Sequence, residues 1–255
     1  DLKEFFVSAK HLRIAKKTAW LHFIAEIKKY FSRPLLHNKN VDPNTLLAEL
    51  SGATGPSSTI VSDVGNHQMW LAQSWQTKIG QRILFSGGMG SMGFALPAAI
   101  GAYFAEPSRN LIIVCGDGGF QMNIQELETV RRNKIPAKIF LLNNKSLGMV
   151  RAFQSVYFKN NYQSTVTGYS NPDFKKIAYA YDLDYIAVER DDKKMDFKKI
   201  LRSKKATLIE VKLSVNTPLE PKVIFGKPLD DQHPFLNESK KRLLKKLKEE
   251  LQCKS

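Results

Sequence analysis

Cysteine and histidine are scarce in this sequence, and their scarcity excludes two classes of protein. There are two cysteines, Cys115 in an apolar run and Cys253 in a polar tail. Neither a disulfide framework nor a cysteine-rich metal site fits this usage. The five histidines, at positions 11, 22, 37, 67 and 233, are scattered without the regular spacing of metal ligands.

Long hydrophobic runs are also missing. No apolar stretch approaches the ~18–20 residues that a membrane-spanning helix requires. The chain does not open with a basic and then apolar segment followed by a cleavage site, so a secretory signal is not indicated. We therefore expect a cytoplasmic protein without a membrane partner.

Acidic residues are few relative to basic ones, 24 against 39, which gives a formal net charge of +15. Lysine and arginine are concentrated in residues 1–40 and in the last sixty residues. No helix-turn-helix, zinc-finger or aromatic RNA-binding pattern accompanies them, so a nucleic-acid partner is not favoured. The lysines alternate with apolar residues at helical spacing, which indicates solvated helix faces; an anionic partner is the alternative.

The sequence does contain a regular alternation of apolar strands and helices. The predicted strands are TIVSDVG (59–65), RILFS (82–86), NLIIVC (110–115), AKIFLLN (137–143), YIAVE (185–189) and ATLIEVKL (206–213). Helices are predicted between them, one of which has Asn171 as its N-cap. Strands that are apolar throughout and alternate with helices are typical of an α/β fold, a doubly wound and mostly parallel sheet with helices on both faces.

The pattern divides the chain into three parts. Residues 1–40 contain a helical segment without a clear beginning and then a linker, so we expect them to come from an upstream domain and the chain to be a fragment. Residues 41–220 form the α/β domain. Residues 221–255 form a tail with a basic amphipathic helix at about 237–252, so the fold carries N- and C-terminal helical extensions.

Four loops at the ends of successive predicted strands share unusual chemistry. They are VGNHQMW (64–70), SGGMGSMG (86–93), CGDGGF (115–120) and NNKSLGM (143–149). In an open doubly wound sheet, ligands bind outside the carboxyl ends of the strands. Glycines let the backbone approach a phosphate, and the oxygens of Asp117 and of Asn143 and Asn144 are the donors that Mg²⁺ prefers. Each loop alone also fits an ordinary turn, but together they predict a Mg²⁺–diphosphate site.

These motifs resemble a known family. The GDG at residues 116–118, with Asn144 placed 27 residues after Asp117, is similar to the diphosphate–metal motif of thiamine-diphosphate (ThDP) enzymes. The segments VGNHQMWLAQ, SGGMGSMGFALPAAIGA and GDGGFQMNIQELETVRRNKIPAKIFLLNNKSLGMVRAFQ look like the C-terminal cofactor-diphosphate domain of acetolactate synthase and its relatives. The resemblance runs from about Pro43 to Val215.

The resemblance implies roles for individual residues. Metal ligands would be the side chains of Asp117 and Asn144 and the carbonyl of Ser146. The substrate pocket would include Phe153 and Met149. The cofactor would contact Asn66, His67, Gly90, Ser91, Met92, Gly116, Asp117, Gly118, Gly119, Asn144, Ser146, Leu147, Gly148 and Met149.

The resemblance also implies a function. The whole protein would be a ThDP- and Mg²⁺-dependent carboligase or decarboxylase of 2-keto acids such as pyruvate, working as a homodimer or tetramer. The glutamate that activates the cofactor would lie in a separate pyrimidine-binding domain, from the rest of the protein or a second subunit, so no catalytic residue is expected in this chain. Any FAD would bind in the middle domain, also outside the chain.

One departure keeps alternatives open. Acetolactate synthases have a tryptophan at the position of Phe153, and phenylalanine is smaller and lacks its N–H donor. The alternatives are a decarboxylase, a carboligase with a different acceptor, and a non-catalytic homologue that binds ThDP only. A further alternative of another class is an anion- or nucleic-acid-binding module driven by the basic charge.

Overall fold

The computed structural model describes residues 4, 7, 18–31, 41–189, 195–223, 226–227, 232–233 and 236–252. The chain divides into two compact units, residues 35–219 and residues 1–34 with 220–255. The linker predicted before residue 41 lies almost wholly outside the described residues, as do Cys253 and most of the predicted helix before residue 18. The three-part division of the chain stays a prediction.

The larger unit is built on a six-stranded, all-parallel sheet with the strand order β2-β1-β3-β4-β6-β5. This confirms the predicted fold class. Every predicted strand is present, within a few residues of its expected bounds. The strands are β1 Ser58–Ser62, β2 Arg82–Phe85, β3 Asn110–Gly116, β4 Lys138–Asn143, β5 Asp184–Val188 and β6 Thr207–Lys212.

Helices cover both faces of this sheet in the larger unit. The helices of the whole described chain are α1 Thr18–Phe31, α2 Pro43–Ala53, α3 Asn66–Ser74, α4 Ala95–Ala105, α5 Asp117–Met122, α6 Leu127–Arg132, α7 Gly148–Tyr157, α8 Phe174–Ala180, α9 Phe197–Arg202 and α10 Glu238–Gln252. A 3₁₀ turn, Ile124–Glu126, precedes α6. Residues of α2, α3 and α9 pack in one apolar cluster, and residues of α4, α6 and α8 pack in another.

The two clusters follow from the period of two in a β-strand. Ile112, Val114, Phe140 and Leu142 belong to the cluster with α2, α3 and α9, whereas the intervening Ile113, Cys115, Ile139 and Leu141 belong to the other. Successive side chains of a strand point to opposite faces, so a strand covered on both faces must be apolar at every position. This is why the central strands are recognisable as continuous apolar runs.

The strand order reverses at β1. The chain leaves β1 for β2 on one side and then returns to β3 on the other side of β1. The helices that make these two connections, α3 and α4, lie on opposite faces of the sheet. The carboxyl ends of β1 and β3 therefore open onto a crevice, which is where open α/β sheets bind their ligands.

The N-cap of α8 differs from the prediction. The cap is Asp173, whose side chain accepts a hydrogen bond from the backbone N–H of Lys176, 3.1 Å away. Asn171 was the predicted cap, and that prediction is wrong. Its amide nitrogen donates instead to the side-chain oxygens of Asp117 and Asn143. The helix consequently begins two residues later than the sequence suggested.

Asp173→Ala tests this assignment. The variant should lower the free energy of unfolding by about 1 kcal/mol, because it leaves an N–H of the first turn of α8 without its side-chain acceptor. Urea denaturation followed by circular dichroism measures the change. A wild-type unfolding free energy would contradict the capping role.

The smaller unit contains α1 and α10, which pack against each other. The predicted basic amphipathic helix is present as α10, in which Leu247 is buried while the lysines stay largely exposed. In the part of the chain that the structure describes, no helix combines the length and the apolar character needed to cross a membrane.

Candidate functional site

A cavity of about 220 Å³ opens at the carboxyl ends of β1, β3 and β4. All four glycine-bearing loops contribute to its wall. It is lined by Val64, Gly65, Asn66, His67, Trp70, Gly90, Met92, Gly116, Asp117, Gly118, Gly119, Leu142, Asn144, Ser146, Leu147, Gly148, Met149 and Val150. Thirteen of the fourteen predicted cofactor-binding residues are therefore brought together around one cavity.

Two predicted site residues do not line this cavity. Ser91 lies in the loop after β2, where its backbone N–H donates to the hydroxyl of Ser86 at 3.1 Å. Phe153 lies on α7 with 45% of its side chain exposed, and its ring packs on that of Tyr157 with a centroid distance of 4.5 Å. The cofactor role of Ser91 and the substrate role of Phe153 stay predictions.

Among the described residues that line the cavity, Asp117 is the only one with a carboxylate, and it is almost fully buried. Its Oδ2 accepts hydrogen bonds from the hydroxyl of Tyr169 at 3.0 Å and from Nδ2 of Asn171 at 2.9 Å. Burial raises the pKa of the Asp117 carboxyl above its ordinary value, and the bonds from Asn171 and Tyr169 partly oppose this rise. Burial alone would disfavour the charged form of Asp117, and the two hydrogen bonds stabilise that charged form.

The two asparagines after β4 have different surroundings. Asn143 turns toward the sheet, where its Nδ2 donates to Glu210 at 2.6 Å and its Oδ1 accepts from Asn171 at 2.7 Å. Asn144 lies in the cavity wall beside Ser146, and both are buried. Only Asn144 of the pair is therefore placed to contact a ligand in the cavity.

Buried polar atoms without partners are concentrated here. Among the described residues, Asn66 Oδ1, His67 Nε2, Ser146 Oγ and Asn171 Oδ1 are buried and have no hydrogen-bond partner. Three of these four residues line the cavity, and the fourth contacts Asp117. Native proteins rarely leave buried polar groups unpaired, so the three unpaired atoms in the cavity wall fit a site that binds a polar ligand.

Gly118 and Gly119 pack closely against neighbouring side chains. A Cβ atom on Gly118 would displace the end of the Leu147 side chain, and one on Gly119 would lie 2.6 Å from Asp63 Oδ1. The Asp63 carboxylate is held by backbone N–H groups and could not move without losing them. The glycines let the start of α5 pack closely against its neighbours while its backbone lines the cavity, which suits a phosphate-bearing ligand.

The donor set fits one kind of metal. The described part of the chain contains no cluster of three or more histidine, cysteine, aspartate or glutamate side chains that could hold a metal ion. A cation in this cavity would contact one carboxylate, Asp117, and neutral oxygens such as those of Asn144 and Ser146. Magnesium is bound in this way when substrate phosphates complete its shell.

The surroundings of His67 favour the neutral form of its imidazole ring. Burial lowers the pKa of His67 from 6.5 to about 4, although the nearby charge of Asp63 opposes the effect. The ring also lies close to the backbone of the strand end, since a Cβ on Gly116 would be 2.9 Å from Nδ1. A neutral ring can offer both a donor and an acceptor, whereas a protonated ring could only donate.

The depressed pKa of His67 predicts a loss of stability in mild acid. Because the pKa in the folded state is about 4 and that in the unfolded state about 6.5, the unfolded state takes up a proton first as the pH falls. The free energy of unfolding should drop by about 1.4 kcal/mol per pH unit through this window. Urea denaturation from pH 7 to pH 5 measures the slope. His67→Gln should flatten it, and an equal slope in the variant would contradict the assignment.

Asp63 is a site residue that the sequence pattern did not reveal. It follows β1, is 1% exposed and accepts three backbone hydrogen bonds. Its Oδ1 accepts from the N–H of Val64 at 2.7 Å and of Gly93 at 3.0 Å, and its Oδ2 accepts from Ala95 at 3.0 Å. Asp63 therefore fastens the loop that carries Gly90 and Met92 to the end of β1. An acidic residue directly after a buried strand was the available signal.

Tyr169 and Asn171 were also missed as site residues. Both come from the segment between α7 and α8, and both donate to Asp117. The Tyr169 hydroxyl in turn accepts from Gln121 Nε2 at 3.4 Å. Burial raises the pKa of Tyr169 well above its ordinary value, and the nearby charge of Asp117 raises it further. The hydroxyl therefore stays protonated and donates to Asp117.

Comparison with known proteins gives consistent matches. The family model "Thiamine pyrophosphate enzyme, C-terminal TPP binding domain" matches residues 63–211. The acetolactate synthase large subunit of Lactococcus lactis is 37% identical over 194 residues, which cover 76% of this chain and 34% of that protein. The mitochondrial acetolactate synthase catalytic subunit of Saccharomyces cerevisiae is 33% identical over 236 residues, covering 90% of this chain and 34% of that protein.

A solved structure agrees with these matches. The thiamine diphosphate-dependent 4-hydroxybenzoylformate decarboxylase of Rhodococcus jostii RHA1 superposes with a TM-score of 0.63 at 25% identity, covering 74% of this chain and 35% of that one. The chain thus spans about a third of the length of these relatives. With the family model matching more than half of its residues, the chain belongs to the thiamine pyrophosphate enzyme family, as an acetolactate synthase-like C-terminal TPP-binding domain.

Proposed function

We propose that this chain binds the diphosphate of ThDP through a divalent cation, Mg²⁺, in the cavity at the carboxyl ends of β1, β3 and β4. The observation that carries the proposal is the coincidence, in one cavity, of a single buried carboxylate, Asp117, with unpartnered polar atoms of Asn66, His67 and Ser146. Such a set lacks the charge to hold a metal tightly alone, so it suits a metal that arrives with a diphosphate.

Each part of the cavity wall has a proposed role. The carboxylate of Asp117, the side-chain oxygen of Asn144 and the carbonyl of Ser146 would bind the cation. The backbone around Gly118 and Gly119, which lines the cavity without a side chain, would receive the diphosphate. The rest of the cofactor would contact the wall residues Asn66, His67, Gly90, Met92, Gly116, Leu147, Gly148 and Met149, and also Ser91, which lies outside the cavity wall in the same loop as Gly90 and Met92.

We infer that the whole protein carries out acetolactate synthase-like carboligation of 2-keto acids such as pyruvate. Bound ThDP would supply the electron sink for cleaving the bond next to the keto carbon. This chain would bind and orient the cofactor, and its apolar wall residues Leu147 and Met149 would limit the access of water. The acetolactate synthases among its relatives support this inference.

The chain would supply one half of the active site. The group that activates the cofactor would come from a pyrimidine-binding domain, in the rest of the protein or in a second subunit of a homodimer or tetramer. An FAD, if the protein uses one, would bind outside this chain. The partial coverage of the relatives, about a third of their length, supports this division of labour.

A 2-keto-acid decarboxylase, or a carboligase with a different acceptor, is the second candidate. Phe153 favours it, because the family resemblance implies a tryptophan at this position in acetolactate synthases, and because Phe153 is 45% exposed on α7. A structural relative named as a decarboxylase also supports it.

Two measurements test these proposals on the full-length protein. Calorimetric titration with ThDP should show binding with Mg²⁺ present and its loss when EDTA removes the metal. Binding that does not depend on the metal would overturn the metal site. Incubation with pyruvate should then give acetolactate, whereas acetaldehyde without acetolactate would reject carboligation in favour of the decarboxylase.

A further inference from the structure

We propose that Asn171, together with Asn143 and Glu210, positions the carboxylate of Asp117 for metal binding. These three side chains would be positioning residues, which contact neither the metal nor the cofactor. The inference rests on the proposed Mg²⁺–ThDP site and assigns a task to Glu210, a buried acidic group outside the cavity wall. Its basis is a continuous series of side-chain hydrogen bonds that runs from Tyr185 on β5 through Glu210 on β6 and Asn143 at the end of β4 to Asn171 and Asp117.

The chain of bonds runs from the edge of the sheet to the cavity. The Tyr185 hydroxyl on β5 donates to Glu210 Oε2 on β6. Asn143 at the end of β4 donates from Nδ2 to Glu210 Oε1 at 2.6 Å. Asn171 Nδ2 then donates to Asn143 Oδ1 at 2.7 Å and to Asp117 Oδ2 at 2.9 Å. Every connection is between side chains from different elements.

The direction of each bond is set by the two carboxylates. An ionised carboxylate can only accept, so Glu210 requires Asn143 to face it with its NH₂ group. The oxygen of Asn143 must then face Asn171, which in turn must present its own NH₂ group. The two hydrogens of that group serve Asn143 and Asp117. Glu210 thereby determines which end of the Asn171 amide faces the metal ligand.

Burial restricts the movement of these hydrogen-bonded side chains. Asn143 is 4% exposed and Glu210 is 6% exposed, and each lies on a strand that is paired on both sides. The backbone N–H of Lys145 donates to the same Asn143 oxygen at 3.0 Å, which fixes that amide further. A rotation of either side chain would leave a buried polar group unpaired. The amide of Asn171 is therefore held in one orientation.

The consequence falls on Asp117. Two donors on Oδ2, from Asn171 and Tyr169, fix the plane of the carboxylate and so fix the direction of Oδ1. A cation needs a carboxylate oxygen at a defined place. Partners that orient metal ligands in this way typically contribute about 10–100-fold to metal affinity.

The test measures Mg²⁺ affinity in the full-length protein. Calorimetry with Mg²⁺ at saturating ThDP gives the half-saturation concentration for wild type, Asn171→Ala, Glu210→Leu and Glu210→Gln. We expect Asn171→Ala and Glu210→Leu to need about 10–100-fold more Mg²⁺ than wild type for half-saturation. Glu210→Gln should recover most of the affinity, because its amide oxygen can still accept from Asn143. Asn133→Ala is the matched control, since the side chain of Asn133 donates to the carbonyl of Thr129 at the end of α6 and Asn133 does not line the cavity.

Further readouts separate positioning from general damage. Thermal unfolding followed by circular dichroism is recorded for each variant, and ThDP binding is repeated at saturating Mg²⁺, where full occupancy should return. Variants that are less stable but keep the wild-type Mg²⁺ half-saturation would overturn the positioning role. So would a defect in Glu210→Gln as large as in Glu210→Leu. Wild-type protein without Mg²⁺-dependent ThDP binding would overturn the proposed function and this inference with it.

Discussion

Asp117→Ala should raise the Mg²⁺ concentration needed for ThDP binding by at least about a hundred-fold, because losing a ligand costs more than losing the partner that orients it. No other carboxylate lines the cavity in the part of the chain that the structure describes. Without Asp117, the cation would have to bind through neutral oxygens and the diphosphate alone. The variant would also lose the electrostatic attraction between the buried negative charge of Asp117 and the divalent cation.

Asp117→Asn separates charge from shape. The amide keeps the size of the side chain and can still accept from Tyr169 and Asn171 through its oxygen, but its NH₂ group would then face the cation. We expect it to bind Mg²⁺ as weakly as Asp117→Ala does. Calorimetric titration of Mg²⁺ at saturating ThDP measures both variants.

The control for these variants is Asp182→Ala, which removes a carboxylate that is 73% exposed and lies near Arg131. It should leave the titration unchanged. A wild-type half-saturation concentration in Asp117→Ala would show that the cation, if one binds, is held elsewhere.

The fold was predictable because of how the sheet is covered. Residues such as Ile112 and Ile113 enter different apolar clusters on opposite faces, so the strand had to be apolar at every position. A short apolar run without polar interruption, placed between two helices, is typical of a buried parallel strand. The glycine-bearing loops were predictable as one site for a related reason, since the carboxyl ends of parallel strands meet at one edge of the sheet.

The supporting residues were not predictable from local pattern. Asp63, Asn171 and Glu210 each fit an ordinary local role, as a turn residue, a helix cap and a polar position in a strand. Their contacts join residues 30, 54 and 67 positions apart in the chain. Such pairings depend on the register of the folded sheet, and a single sequence does not display that register. The family resemblance implied which residues line the cavity, but it did not indicate which residues hold that wall in position.

Asp63→Asn should lower the free energy of unfolding by about 2–4 kcal/mol, because a buried hydrogen bond to a charged group contributes about 1.5–3 kcal/mol and more than one is affected. Asp63 receives N–H groups on both oxygens, from Gly93 on one and Ala95 on the other. An asparagine has one oxygen, so its NH₂ group would face one of these donors. The loop carrying Gly90 and Met92 would lose a fastening point, and ThDP affinity should fall as well.

Gly119→Ala tests the same contact from the opposite side. Its added Cβ would lie 2.6 Å from Asp63 Oδ1, so the carboxylate would have to leave its donors. Gly101→Ala is the control, because nothing lies within 4 Å of a Cβ there and alanine is the better helix former in α4. Urea denaturation and ThDP titration are measured for all three variants. Because Asp63→Asn and Gly119→Ala disrupt one interaction, the double variant should lose less stability than the sum of the single losses. Full additivity would mean that Gly119 is required for another reason, and unchanged unfolding in Asp63→Asn would show that the loop is held without this carboxylate.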